Sequence, residues 1–330
     1  MAVVPVPGNG GVYLRASASG LHASDFGLFD FNTGNLNTAV NPNFSSGVMQ
    51  FGVANRYLYT SSTSGVVVRL DNLSINVHSA APAGPGVGGV VSASAFGAFP
   101  SVAPGSWVEI YGTNLADHAR QWAGSDFTGV NAPTMLDGVG VTIGGQKAFI
   151  DYISSGQVNA QLPSNIGSGQ MQIVVTSAGV NSAPFNIAVN TTQPGLLAPP
   201  SFKIGGNQYV VAQFSDGTYV LPAGAIPGVN SRPAKPGDTI VIYGVGFGSV
   251  NPNIPAGQIV TQSNQLSLPL QILFGTTPAQ TPYLGLAPSF VGLYQFNVVV
   301  PAVPNNDLVP LTFNLGGVPG TQTLYIAVRQ

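Results

Sequence analysis

The sequence predicts an all-β chain built from many short strands, and three observations predict it. Only 6% of the 330 residues are Asp, Glu, Lys or Arg, and the one glutamate is Glu109, so the charged faces that a helical bundle needs have no material. Glycine (43) and proline (27) make up about a fifth of the chain, which supplies tight turns at short intervals. Apolar residues still reach 44%, too many for a disordered segment and enough to bury a core.

The length sets a prior of two or three domains at ~100–200 residues each, and an internal repeat marks two of them. Pro104-Gly105-Ser106-Trp107-Val108-Glu109-Ile110-Tyr111-Gly112 recurs as Pro236-Gly237-Asp238-Thr239-Ile240-Val241-Ile242-Tyr243-Gly244. In each copy a Pro-Gly turn opens a strand whose apolar residues alternate, as a half-buried strand requires. Thr142–Ala148 then matches Leu273–Ala279 with one residue of slip, around Gly144-Gly145 and Gly275-Thr276 steps that read as hairpin turns. Gln157–Pro163 matches Gln295–Pro301, and Phe185–Val189 matches Leu324–Val328. The order never changes, so the chain carries a duplicated module. Each copy has about seven short strands over ~90–100 residues, the pattern of an immunoglobulin-like sandwich.

The expected organisation is therefore an N-terminal β-rich domain over 1–81, a Pro/Gly linker over 82–89, a first sandwich over 90–193, a β-hairpin connector over 194–232 and a second sandwich over 233–330. The connector reads as strand, Gly205-Gly206-Asn207 turn, strand, Asp216-Gly217 turn, strand. It is too short for a core of its own and is expected to pack on one or both sandwiches. In the first domain, Gly27–Leu36 and Arg56–Asp71 resemble strands of a propeller blade, yet some 80 residues cannot close a propeller of four or more blades. They read as a small independent sheet or sandwich. The sharper alternative is a partial sheet whose open edge another subunit completes.

Val90–Phe96 and Val102–Ala116 together resemble the start of an uncharacterised C-terminal domain family found in secreted acidobacterial proteins of the Solibacter type. Tyr209–Gln213, Ala234–Asp238, Tyr243–Gly248 and Gly285–Pro288 through Val300-Pro301 fit the same family in order, over about residues 90–330. Its halves are similar to IPT/TIG immunoglobulin-like modules. The resemblance implies an extracellular accessory or surface domain with no established activity, and it brings no catalytic residues.

Composition excludes several partners. A net charge of −2 with nine scattered Lys and Arg gives no footprint for nucleic acid or an anionic membrane surface. No apolar run reaches the ~18 residues of a membrane-spanning helix, so no membrane insertion is expected. The absence of cysteine removes disulfides, thiolate metal sites and thiol catalysis. Met1-Ala2-Val3-Val4-Pro5-Val6-Pro7 lacks the basic start and apolar core of a signal peptide, so any export signal is expected outside this numbering.

The search for chemistry is mostly negative. His22, His78 and His118 have no zinc-site spacing, and no nucleophile elbow, phosphate-binding loop or HExxH helix occurs. Asp30–Asn35 resembles a calcium loop but lacks the closing bidentate acid, so it reads as an Asx turn. The pairs Asp25/Asp30 and Asp117/Asp126 read as turn carboxylates, because nothing in the sequence brings either pair to a cleft. No cofactor and no metal are expected. Asn43, Asn72 and Asn190 begin glycosylation triplets of the kind that arise by chance in such a chain. Among the aromatic candidates for a sugar platform (Trp107, Trp122, Tyr111, Tyr243, Tyr283, Tyr294), the equivalent Tyr111 and Tyr243 suggest shared packing. Trp122, in the Asp117–Asp137 insertion, is the better exposed contact.

Three functional readings follow. The first is a non-catalytic extracellular structural protein that assembles with itself into a filament or surface layer. Lysine-poor strand edges (Lys147, Lys203 and Lys235 are the only lysines) and the apolar Val3, Val4 and Val6 arm motivate it. The alternative is a carbohydrate-binding or adhesive accessory module, with polysaccharide as partner. The third, a remnant of a propeller hydrolase, needs clustered acids or a metal that the chain does not offer.

Overall fold

The computed structural model describes residues 84–94 and 99–330 throughout. Of the first 83 residues it describes seven strands: Ala2–Pro5, Gly11–Arg15, Leu28–Asp30, Asn35–Asn37, Gln50–Phe51, Tyr57–Tyr59 and Val67–Arg69. The chain divides into two compact units, residues 1–83 and 84–330. In the first unit the seven strands follow one another across a single antiparallel sheet in chain order.

The second unit holds both sandwiches. The front sheet of the first runs Arg120–Gln121, Phe149–Ile153, Gln157–Gln161, Trp107–Thr113, Gly86–Ser92, and its back sheet is built on Val139–Ile143, Gly169–Ser177 and Phe185–Val189. Val108, Ile110, Ile150, Val158 and Ala160 point inward from the front and meet Val141, Ile143, Ile173, Val175 and Ile187 from the back. The second sandwich repeats this plan. Thr239–Val245 lies beside Tyr294–Val299 and then Gln280–Leu286, opposite a back sheet of Leu270–Phe274, Asn306–Leu315 and Leu324–Val328.

The repeated Tyr-Gly step has a physical reason. A Cβ on Gly112 would lie 2.0 Å from the carbonyl oxygen of Gly86, and one on Gly244 would lie 2.9 Å from that of Gly195. A neighbouring backbone presses on the strand at the same place in both copies, so only glycine fits. Two residues later Asn114 (φ 54°) and Gly246 (φ 77°) both turn the chain through the left-handed region. That turn drops Leu115 and Phe247, both fully buried, into their respective cores.

The predicted linker is shorter than its composition suggests. Gly86–Ser92 is a strand of the first sandwich, paired with Trp107–Thr113 from Gly86↔Thr113 to Ser92↔Val108. A backbone ladder needs no side chains, so a glycine-rich stretch is admitted at a sheet edge where a partner backbone comes close. The connector joins the second sandwich: Ala212–Gln213, Tyr219–Val220 and Ser231–Arg232 extend its front sheet, and Gly195–Leu196 pairs with Thr239–Val245. Phe202, Tyr209 and Leu221 form a small cluster with Ala327 of the last strand. The connector also reaches the first sandwich, where the Ala198 amide donates to the Ser94 carbonyl at 3.2 Å.

Candidate functional site

Alternation along the front sheet of the first sandwich turns Trp107, Glu109 and Tyr111 outward, between the inward Val108 and Ile110. The register sets Trp107 opposite Gln161, Glu109 opposite Asn159 and Tyr111 opposite Gln157. On the far side of Gln157–Gln161, Tyr152 pairs with Asn159, and a register shift between Ile150 and Tyr152 leaves Asp151 at a bulge. Bulges re-aim side chains, and Asp151 accepts a hydrogen bond from Gln121 Nε2 at 3.0 Å and another from Asn159. Gln157 Nε2 donates to Asn159 Oδ1 at 2.8 Å, and Tyr111 Oη donates to Glu109 Oε2 at 2.5 Å. The result is a half-exposed row of amides and carboxylates across four strands.

Electrostatics follow from this packing. Burial raises the Asp151 carboxyl above its ordinary value, and the two amide hydrogen bonds only partly oppose it. The Tyr111 phenol is pushed up to about 12, first by burial and then by the Glu109 carboxylate that accepts its hydrogen bond. Tyr111 is nevertheless 41% exposed, so it is a surface aromatic and not the packing residue its repeat position suggested.

The Asp117–Asp137 insertion closes one side of this face. Arg120–Gln121 adds a short strand to Phe149–Ile153, and the Trp122 amide donates to the Asp151 carbonyl at 2.8 Å. The Trp122 ring stands edge-on to Trp107 (centroids 5.6 Å apart) and to Phe127 (4.9 Å), so Trp122 is a half-buried member of an aromatic trio. Arg120 holds the insertion together. Its Nη1 and Nη2 donate to Asp126 at 2.9 and 3.1 Å, and its Nε and Nη2 to Asp137 at 2.5 and 2.8 Å. These bonds to Arg120 hold both carboxyls below the usual range, with the Ala123 amide adding to the effect at Asp126 and His118 at Asp137. Asp126 and His118 are therefore structural. Among the described residues no group of three or more His, Asp or Glu could hold a metal ion.

The other end of the face is sealed by loops of the second sandwich. Trp107 Nε1 donates to the Val291 carbonyl at 2.8 Å. Gln161, only 2% exposed, donates to the Gly105 carbonyl at 2.9 Å and accepts from the Gly257 amide at 2.7 Å. A Cβ on Gly292 would fall 1.9 Å from Gln161 Nε2, so the loop touches the sheet through bare backbone.

Val3 and Val4 lie in Ala2–Pro5, paired with Leu14 and Tyr13 of the same chain. Val6, Asp25, His22, His78, Asn43 and Asn72 lie outside the described residues, while Asp30 ends a strand and pairs with Gly11 and Asn35. Asn190 Nδ2 donates to Ser101 Oγ and Gln193 Oε1 at 3.1 and 3.0 Å. Tyr294 is buried and donates to the Gly248 carbonyl, and Tyr283 donates to the Leu286 carbonyl at 2.6 Å, so both are packing residues. No linear motif marks Glu109, Asp151 or Asn159 as functional. The available signal was the repeat itself, which sets Glu109 against Val241 and Trp107 against Thr239.

No family model and no curated protein matches this chain. Among solved structures it is similar to the surface glycan-binding protein PbSGBP-B of Prevotella bryantii, at 13% identity and a TM-score of 0.22, over 73% of this chain and 41% of that one. It is also similar to SGBP-B of the Bacteroides ovatus mixed-linkage glucan utilization locus, at 13% identity and a TM-score of 0.29, over 69% and 43%. A third is an I-band fragment of titin, at 8% identity and a TM-score of 0.20, over 76% and 66%. The chain spans about two fifths of the length of the two glycan-binding proteins. Among the described residues no helix is long and apolar enough to cross a membrane.

Proposed function

We propose that the protein is a non-catalytic extracellular module that binds a neutral carbohydrate on the outer front face of its first sandwich. The observation that carries this reading is the difference between the duplicated faces. Gln157 and Asn159 recur as Gln295 and Asn297, with the same hydrogen bond at 2.8 and 2.9 Å, so that pair belongs to the fold. Trp107 and Glu109 are replaced by Thr239 and Val241, and the second sandwich folds without them. Trp107 also serves the seam through its Nε1 bond to Val291, while the half-exposed Glu109, bonded only to Tyr111, is left to meet a ligand beside the Trp107 ring. A pyranose ring offers an apolar C–H face and an edge of paired hydroxyls, which suit an aromatic surface beside carboxylate and amide acceptors.

Native electrophoresis through gels containing neutral polysaccharides tests this. Retardation by at least one of them is expected, with at least a tenfold loss of affinity in Glu109→Val, which gives the first face the residue of the second. No retardation by any polysaccharide discards the reading, and turnover of a bound polysaccharide discards its non-catalytic part. Self-assembly through strand edges keeps one specific observation: Ala2–Pro5 is the terminal strand of its sheet. Large sedimenting assemblies that disappear on deletion of residues 2–7 would favour that second reading.

A further inference from the structure

Where the two sandwiches meet, two hollows adjoin. One, of about 420 Å³, lies between the Ser164–Ser168 turn of the first sandwich and the Ser249–Gln258 loop of the second. The other, of about 610 Å³, continues past Thr192 to Leu268 and Val318. Both are lined by Thr191, Gly248 and Ser249, so they are two lengths of one groove, each of a size that small-molecule sites use.

Three properties select the occupant. No Asp, Glu, Lys or Arg lines either length. A charged ligand placed there loses hydration and gains no counter-charge, so phosphates, uronic acids and basic peptides are disfavoured. The polar lining is instead hydroxyl and amide: Ser168, Thr191, Asn253 and Thr321 are exposed on it, and among the described residues their side chains form no hydrogen bond. At one end Leu268 and Val318, 39% and 68% exposed, add an apolar surface.

The walls are preset. The Ala256 amide of the second sandwich donates to Ser164 Oγ of the first at 2.6 Å, and Tyr294 Oη holds the Gly248 carbonyl from below. A groove already in shape loses little ordering entropy on binding.

We infer that this groove binds a neutral oligosaccharide, its hydroxyls meeting Ser168, Thr191, Asn253 and Thr321 and its ring faces resting on Leu268 and Val318. This is a second site, walled by both sandwiches; it adjoins the outer face proposed above at Gln161 and Gly292 and opens away from Glu109 and Tyr111, which do not line it.

The test is nuclear magnetic resonance of the nitrogen-15-labelled full chain, titrated with cello-, malto- and manno-oligosaccharides and with an oligogalacturonide as acidic control. Saturable shifts of the Thr191, Gly248, Ser249 and Ser267 amides are expected with at least one neutral oligosaccharide and not with the acidic one. Ser249→Arg, at an exposed position, is expected to weaken that binding about tenfold. The inference is overturned if no neutral oligosaccharide moves those amides, if the oligogalacturonide moves them equally, or if Ser249→Arg changes nothing. Shifts confined to Glu109, Tyr111 and Asn159 would overturn the groove and keep the outer face. Shifts confined to the groove would do the reverse, and neither result depends on a variant folding.

Discussion

Strand for strand, the first sandwich sets Trp107–Thr113 beside Gln157–Gln161 and Phe149–Ile153, as the second sets Thr239–Val245 beside Tyr294–Val299 and Gln280–Leu286. The inward residues are interchangeable aliphatics, Val108 and Ile110 against Ile240 and Ile242. Of the outward ones, Tyr111, Gln157 and Asn159 recur as Tyr243, Gln295 and Asn297, but Trp107 and Glu109 give way to Thr239 and Val241. Duplication thus separates two demands on a single strand. Residues kept in both copies satisfy the sandwich; of those held by one copy, Trp107 also serves the seam through Val291, and Glu109 is free of both demands.

The largest effects should come from the shared core. Phe247 and Leu115 occupy the same place after the left-handed turn. Phe247 packs on the rings of Phe296, Phe313 and Tyr294 with centroids 4.7, 5.3 and 5.6 Å away, whereas Leu115 sits among aliphatic side chains. Phe247→Ala is expected to cost about 3–5 kcal/mol and Leu115→Ala about 2–5 kcal/mol. Urea unfolding of each variant measures both. A loss below ~1 kcal/mol at either site would break the equivalence of the two turns.

The seam comes next. Gly292→Ala introduces a Cβ 1.9 Å from Gln161 Nε2 and 2.9 Å from Trp107 Nε1, at a φ of +63°. Overpacking of this kind costs roughly 1–3 kcal/mol, and the Gly257 amide, which donates to Gln161, should exchange its hydrogen faster. Unchanged exchange would mean that the two sandwiches do not lean on each other through Gln161.

Much of this fold was legible in the sequence, because a duplicated motif reports itself. Pro104–Gly112 and Pro236–Gly244 gave the strand, the alternation and the glycine that a pressing backbone demands. Gly86–Gly89 reads as linker from its composition because glycines at a sheet edge pair through backbone and leave little side-chain signature, whereas the strand they begin continues into Val90–Ser92 of the expected sandwich. The outer face was hidden for a different reason. Asp151 reaches its place only through a bulge, and Asn159 joins it only through cross-strand register, neither of which a linear pattern records. Gln161 lies on an outward position yet is buried by a loop some 96 residues away, a long-range fact invisible to local alternation.

Carboxyl titration sharpens the comparison further, since the second face has no counterpart to Asp151. Burial raises its folded-state pKa above the unfolded value, so the native protein binds that proton more readily. The contribution of Asp151 therefore becomes more favourable as pH falls through the raised value and is complete below the ordinary carboxylate range. Asp126 and Asp137 have the opposite sign, because Arg120 lowers both, and their stabilisation is lost as pH falls through the lowered values. Unfolding curves across acid pH for the native chain and Asp151→Asn should diverge in the first sense, with the variant relatively more stable at neutral pH. Parallel curves would place Asp151 in water.

The smallest effect tests the Tyr111–Glu109 contact directly. Tyr111 ionises near 12 because burial disfavours the phenolate and because its proton is held by Glu109. Glu109→Gln removes the charge and weakens the hydrogen bond but leaves the burial, so the phenol should titrate lower than in the native chain while staying above an exposed tyrosine. Tyr243 has no carboxylate at the matching position, since Val241 stands where Glu109 does, and its upward shift comes first from burial, with Tyr219 adding to it. Phenolate absorbance in Tyr111→Phe identifies which titration belongs to which residue. If Glu109→Gln leaves the Tyr111 titration unmoved, the carboxylate faces the solvent and not its neighbour, and the polar half of the proposed face loses its first member.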